Sequence, residues 1–236
     1  MEENIIEKII KNDQVRPRGW KLIELPLLER PLKNKKGTSL IVGERGGEDG
    51  ILATVLENEG ISKPVHCIDI QPIGDDPEKT FGAEKIKEGK IKFFQDDLIT
   101  WEPEEIYDYV VCINVLEHFG FDQSGNYTKP NYDFKGFEKM LSMCRKNLLL
   151  SIPYDPFLIG EKIKINEQHY GDDRISTLET IARKAGFWTE EKIRLINVDS
   201  AFRTLDQINI SDLAYLPRRE QHEYLIFLNF TKIPPQ

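Results

Sequence analysis

Apolar positions recur along the 236-residue chain with two different periods. Ile5, Ile6, Ile9 and Ile10 repeat at helical spacing, which predicts a short amphipathic helix over residues 3–11. Arg16-Pro17-Arg18-Gly19 breaks it, and Trp20 to Leu28 supplies apolar positions expected to pack on a sheet edge. Short apolar runs follow, predicting strands at residues 38–42, 65–70, 91–94, 107–114 and 147–153, with two more at 188–198 and 223–233. Between them, helices are expected at 48–57, 79–88, 134–146 and 175–185, the last stopped by Gly186. Strand–helix alternation over residues 38–186 predicts right-handed crossovers and an α/β fold with a mostly parallel sheet. No helical pattern separates the last two strands, so an antiparallel ending is expected, with residues 199–222 as an excursion. Residues 1–37 read as an N-terminal helical extension or cap, and 38–236 as the α/β domain.

Composition narrows the classes. The net charge of −8, from 32 basic and 40 acidic side chains, argues against a nonspecific nucleic-acid binder, which needs clustered Lys and Arg. With 39% hydrophobic and 31% charged residues, one sizeable core under a polar surface is expected. Cys67, Cys112 and Cys144 are flanked by apolar residues and lack metal-ligand spacing, so they read as buried free thiols of a reducing compartment. No run approaches the ~18 apolar residues of a membrane span, and the charged N-terminus is unlike a signal peptide. The expectation is a cytoplasmic protein that engages neither membrane nor nucleic acid, with its oligomeric state open.

Candidate chemistry gathers at strand ends, where open α/β sheets bind ligands. The first strand runs into Gly43-Glu44-Arg45-Gly46-Gly47, ahead of a helix. Glycines there allow close approach of a ligand to the backbone, and a helix amino end offers free N–H donors. A tight strand-to-helix turn explains the same residues equally well. Neither GxxxxGK[ST] nor G-x-G-x-x-G occurs, Arg45 standing at the second glycine position. Asp69 ends the second strand and suits a ribose; an exposed turn aspartate is the plainer account. Asp96 and Asp97 follow the third strand, where one carboxylate would accept from an adenine amino group while Leu98 covers the ring. A solvated turn pair is the alternative. The fourth strand leads into Leu116, Glu117 and His118, and histidine is well suited to remove a proton near neutral pH. Capping or packing of the next turn is the competing account. Tyr154 follows the fifth strand. His169 and Tyr170 are candidates for a lid, with Asp173 or Ser176 as N-cap of the helix beyond. His66 and His222 read as structural.

In this order, the stretches SLIVGERGG, HCIDIQP, KFFQDDL, YDYVVCINVLEHF, NLLLSIP and HYGDDRISTLETIARKAGF resemble class I S-adenosylmethionine-dependent methyltransferases over roughly residues 38–233. The resemblance implies a doubly wound, seven-stranded, mostly parallel sheet with the last strand antiparallel, and S-adenosyl-L-methionine as cofactor. It implies that Gly43, Glu44, Arg45, Gly46 and Gly47 lie under the amino-acid part of the cofactor. Asp69, with Ile70 beside it, would hold the ribose hydroxyls, and Asp97 with Leu98, next to Asp96, would flank the adenine. Asn114, Val115 and Leu116 would line the cofactor pocket, with Glu117 and His118 toward the substrate. Two positions depart from the family pattern: Ile41 stands where an acid is usual, and Arg45 where a glycine is usual. The expected activity is methyl transfer to O or N of a small-molecule or glycan-type acceptor. His118 is the first candidate base and His169 the second, and Glu117, Tyr154 and Tyr170 are the substrate-side residues. Two rivals are a catalytically degenerate binding subunit of the same fold and an NAD(P)-dependent oxidoreductase. The latter lacks its fingerprint and its Tyr-x-x-x-Lys pair.

Overall fold

Four of the expected strands form a parallel array. The computed structural model describes residues 27–28, 30–33, 35–43, 56, 64–72, 86–122, 124–155, 158, 162–164, 167–198, 201–204 and 224–234. The helix expected at 3–11 and most of those at 48–57 and 79–88 fall outside these residues. The strand order is β3-β2-β1-β4-β5-β10-β8-β9 in one sheet, with β6-β7 as a separate pair. Seven of these eight strands match the expected ones, and β9 adds a short edge. The chain divides into two units, residues 1–112 with 143–148 and residues 113–142 with 149–236.

In unit 1, β1 (Ser39–Val42) pairs in parallel with β2 (Val65–Asp69) and with β4 (Tyr107–Ile113). β2 pairs in parallel with β3 (Ile91–Gln95). Every residue of β1 is buried, as are five of the seven in β4, which is why both read as near-continuous apolar runs. The helix expected to reach Lys146 does not. β5 (Cys144–Pro153) already begins at Cys144. The Tyr107 N–H donates to the Met143 carbonyl at 2.8 Å, Arg145 donates to the Ile106 carbonyl, and Lys146 lies 3.3 Å from Asp108. Pairing with the start of β4 overrides the local helical spacing of Met140, Leu141 and Cys144. All three cysteines are free and buried.

In unit 2, α1 (Tyr132–Ser142) buries Phe137, Met140 and Leu141 along one stripe, with Phe137 edge-on to Phe230 at 5.2 Å. α2 (Asp172–Lys184) starts three residues before the expected position. Its N-cap is Gly171 in extended conformation, not Asp173 or Ser176. Acidic Asp172 and Asp173 in the first turn and basic Arg183 and Lys184 in the last suit the helix dipole. Gly186, at φ +79°, ends the segment. β8 (Phe187–Val198) and β10 (Tyr224–Lys232) pair antiparallel with a bulge at Asn229/Phe230. This is the expected antiparallel ending. β9 (Ala201–Thr204) adds to β8 from within the expected excursion. β6 (Lys162–Lys164) and β7 (Glu167–His169) form a hairpin that no periodicity announced.

Candidate functional site

Because β1, β2, β3 and β4 run parallel, their carboxyl ends share one edge of unit 1. Gly43 closes β1 at φ +84°, a conformation that favours glycine, and its N–H donates to the Ile68 carbonyl at 2.8 Å. This ties the first turn to the last residues of β2. Glu44, Arg45, Gly46 and Gly47 lie outside the described residues. Asp69 ends β2 half-buried, and its Oδ1 accepts from the Gln71 N–H at 2.7 Å. Ile70 beside it is 63% exposed, a large apolar side chain in the open. The Asp96 N–H donates to the Asp69 carbonyl at 3.0 Å, so the ends of β2 and β3 are joined. Asp96 accepts from the Asp97 N–H at 2.8 Å, and Asp97 from the Ile99 N–H at 3.0 Å. Leu98 is buried beneath these turns. Ile41, where the family pattern has an acid, is 1% exposed and packs in the core.

The chain leaves β4 through Asn114, at φ +51°, an uncommon conformation that asparagine tolerates better than most residues. In unit 2 its N–H donates to the Ser151 carbonyl at 2.9 Å, and the Ser151 hydroxyl lies 3.5 Å from its side-chain oxygen. Val115 then caps a 3-10 helix, Leu116–His118, just past the end of the expected strand. Leu116 and Glu117 are buried. His118 is half-exposed, its Nε2 3.9 Å from Glu117 Oε1. Phe119 follows and its ring fits against Gly136 of α1, where a Cβ would come within 2.4 Å of it.

All three substrate-side candidates are buried. Glu117 is 2% exposed and so lies inside the unit, not on a substrate face. Tyr170 is wholly buried and its hydroxyl donates to Asp133 Oδ2 at 2.7 Å, which leaves it no surface with which to act as a lid. Tyr154 is 2% exposed, with its hydroxyl donating to Asp172 Oδ1 at 2.8 Å. Arg194 donates to that same oxygen at 3.0 Å. Burial, followed by the bond to Asp172, pushes the Tyr154 hydroxyl pKa well above its usual value. Tyr170 satisfies the buried Asp133 carboxylate with its one hydroxyl, whereas Tyr154 buries its ring and reaches the exposed Asp172. His169, on β7, is partly buried.

Asp133 and Arg174 were not anticipated. Asp133 is fully buried at the start of α1, and Arg174 Nη2 lies 2.7 and 2.6 Å from its two carboxylate oxygens. The one available signal was Asp133 in the first turn of an amphipathic helix, which more often marks a dipole-stabilising surface acid. Among the described residues, no cluster of His, Cys, Asp and Glu is placed to hold a metal, and no helix is long and apolar enough to cross a membrane.

No protein-family model matches the sequence, and no curated protein matches it. Solved structures do. The 1,6-didemethyltoxoflavin-N1-methyltransferase of Burkholderia thailandensis, with bound 1,6-didemethyltoxoflavin and S-adenosylhomocysteine, is 13% identical with a TM-score of 0.54. That match covers 95% of this chain and 81% of the other. Magnesium protoporphyrin IX methyltransferase of Synechocystis PCC 6803, with bound SAH, is 14% identical with a TM-score of 0.54, over 99% of this chain and 90% of that one. The O-methyltransferase of a trans-AT PKS multienzyme of Brevibacillus brevis, in complex with S-adenosylhomocysteine, is 13% identical with a TM-score of 0.54. It covers 94% of this chain and 82% of its own. Together with the strand order, these matches establish that the chain has the α/β fold of the class I S-adenosylmethionine-dependent methyltransferases.

Proposed function

We infer that the protein is an S-adenosylmethionine-dependent methyltransferase acting on O or N of a small-molecule or glycan-type acceptor. The observation that carries this reading is the shared carboxyl edge of β1 to β4, with a left-handed glycine turn and successive acidic strand ends. The residues suit an adenosyl group. Asp69 and Asp97 are acceptors for ribose hydroxyls and an adenine amine, and Ile70 offers an exposed apolar surface beside them. The structural neighbours named above include an N1- and an O-methyltransferase, which supports either atom as the acceptor.

When bound, the cofactor supplies an activated methyl group on a sulfonium. The residues of this chain supply position and proton handling. Gly43 would approach the amino-acid part, Asp69 would hold the ribose, and Asp97 with Leu98 would flank the adenine. In-line displacement gains most of its rate from such positioning. A hydroxyl acceptor must lose a proton, and half-exposed His118 is the base assigned to take it at Nε2 or Nδ1, with His169 second. A positioned base contributes roughly 10²–10⁴-fold.

Binding tests the reading directly. S-adenosylmethionine or S-adenosylhomocysteine at 100 times its dissociation constant is expected to stabilise the chain by about 2.7 kcal/mol in a thermal-shift assay. A folded chain that gains nothing from either ligand at millimolar concentration overturns it. That outcome would favour a non-catalytic scaffold of the same fold, for which buried Ile41 is the supporting observation.

A further inference from the structure

Unit 2 holds a charged centre that the proposed chemistry does not use. Asp133, at the start of α1, accepts from the Tyr170 hydroxyl at 2.7 Å and pairs with Arg174 of α2 at 2.6 Å. The Arg174 side chain is 12% exposed, and its guanidinium sits 4.3 Å over the Phe134 ring. Burying an ion pair seldom adds net stability, because desolvation offsets the attraction. Such a pair does fix the geometry of what surrounds it, since neither partner tolerates losing the other.

What surrounds it is the turn that carries His118. The 3-10 helix Leu116–His118 packs against both α1 and β7. Phe119, one residue on, closes against Gly136 in the first turns of α1. The two histidines with candidate proton chemistry each adjoin a buried residue of this region: His118 follows Glu117, and His169 precedes Tyr170. Burial first, then the charges of Asp133 and Glu117, raise the Tyr170 hydroxyl well above its usual pKa, so both carboxylates act on that hydroxyl. Among the described residues, the titratable and charged groups of this region include Glu117 within the turn, Asp133 on α1, His169 and Tyr170 at the end of β7, and Arg174 on α2. Tyr127 of the preceding loop also acts on Arg174.

We propose that Asp133, Arg174 and Tyr170 are positioning residues that clamp the Glu117–His118 turn against β7 and so hold the His118 imidazole in its half-exposed pose. The proposal rests on the reading of His118 as the acceptor-side base. It explains why a buried carboxylate precedes an exposed histidine. Glu117, 2% exposed, anchors the turn inward, and Arg174 answers the Asp133 carboxylate on α1.

The test follows His118 by imidazole NMR in the full-length chain, its signal assigned with His118→Gln. Arg174→Met removes the cation and is expected to move or broaden the His118 imidazole resonances, with Arg174→Lys restoring them. Tyr170→Phe deletes one hydroxyl, keeps the ring, and is expected to shift or broaden the His118 resonance. If Arg174→Met does not fold, Tyr170→Phe decides alone. Variants that lose thermal stability while the His118 resonances stay at their wild-type positions and widths would overturn the proposal and leave a simple brace. Calorimetry with S-adenosylhomocysteine on the wild-type chain separates the two ideas. Absence of binding sinks the methyltransferase reading and leaves the His118 resonance result intact.

Discussion

The strand-end carboxylates of unit 1 and the Asp133 carboxylate of unit 2 are satisfied in opposite ways. In unit 1 the strand-end carboxylates fold back on their own turns: Asp69 reaches Gln71, Asp96 reaches Asp97 and Asp97 reaches Ile99, none more than two residues away. In unit 2 the carboxylate of Asp133 is bonded to residues 37 and 41 positions along the chain, without exposure to water. A short-range exposed turn can be rearranged at little cost and is free to meet a ligand. A long-range buried centre cannot, and it sets shape instead. The difference teaches where to look for binding and where to look for positioning.

The sharpest way to break this contrast is to remove the cation of unit 2. Arg174→Met leaves Asp133 as an uncompensated buried charge, and a loss of about 3–5 kcal/mol is expected in urea unfolding. A loss below about 1 kcal/mol would mean that the pair is solvated and the contrast false.

His66 makes a smaller, pH-dependent test within unit 1, which holds its own buried ionisable group. It is 6% exposed, shares a 2.8 Å hydrogen bond with the Tyr107 hydroxyl and lies 3.6 Å from Glu105. Burial outweighs the Glu105 charge and lowers its pKa below the usual 6.5. The folded state thus binds fewer protons than the unfolded state just below that value, so stability falls as pH drops through 6.5 toward the folded pKa. Thermal unfolding across that window should show the decline, and His66→Gln should flatten it. An unchanged slope in the variant would assign the decline to other groups.

Asp69→Ala sharpens the comparison from the other side. Losing its bond to the Gln71 N–H should cost less than about 1 kcal/mol in unfolding. Affinity for S-adenosylhomocysteine should nonetheless fall by about tenfold or more, near 1.4 kcal/mol, by calorimetry. The reverse pattern, a large stability loss with affinity intact, would make Asp69 a structural cap.

The same division governs what could be read in advance. Strand ends β1 to β4 were legible because each is a dense apolar run that stops at a polar residue, and that pattern needs no partner to be recognised. The junction of α1 and β5 was not. Cys144 to Lys146 fit a helix locally and became strand through contacts with Ile106, Tyr107 and Asp108. Tyr154, beside the end of the fifth strand, and Tyr170, as part of a lid, were expected to face a substrate, whereas both rings are buried and their hydroxyls bond to Asp172 and Asp133.

From sequence alone came the alternation that makes an α/β sheet, its antiparallel ending and the polar residues at its strand ends. Side-chain period and chain punctuation are local properties, and they carry that much. Only the tertiary structure decided that Asp133 is buried, that Arg174 answers it and that Glu117 points inward while His118 stays half in water. Burial is set by what packs overhead, and those neighbours lie tens of residues away, beyond the reach of any pattern within one segment.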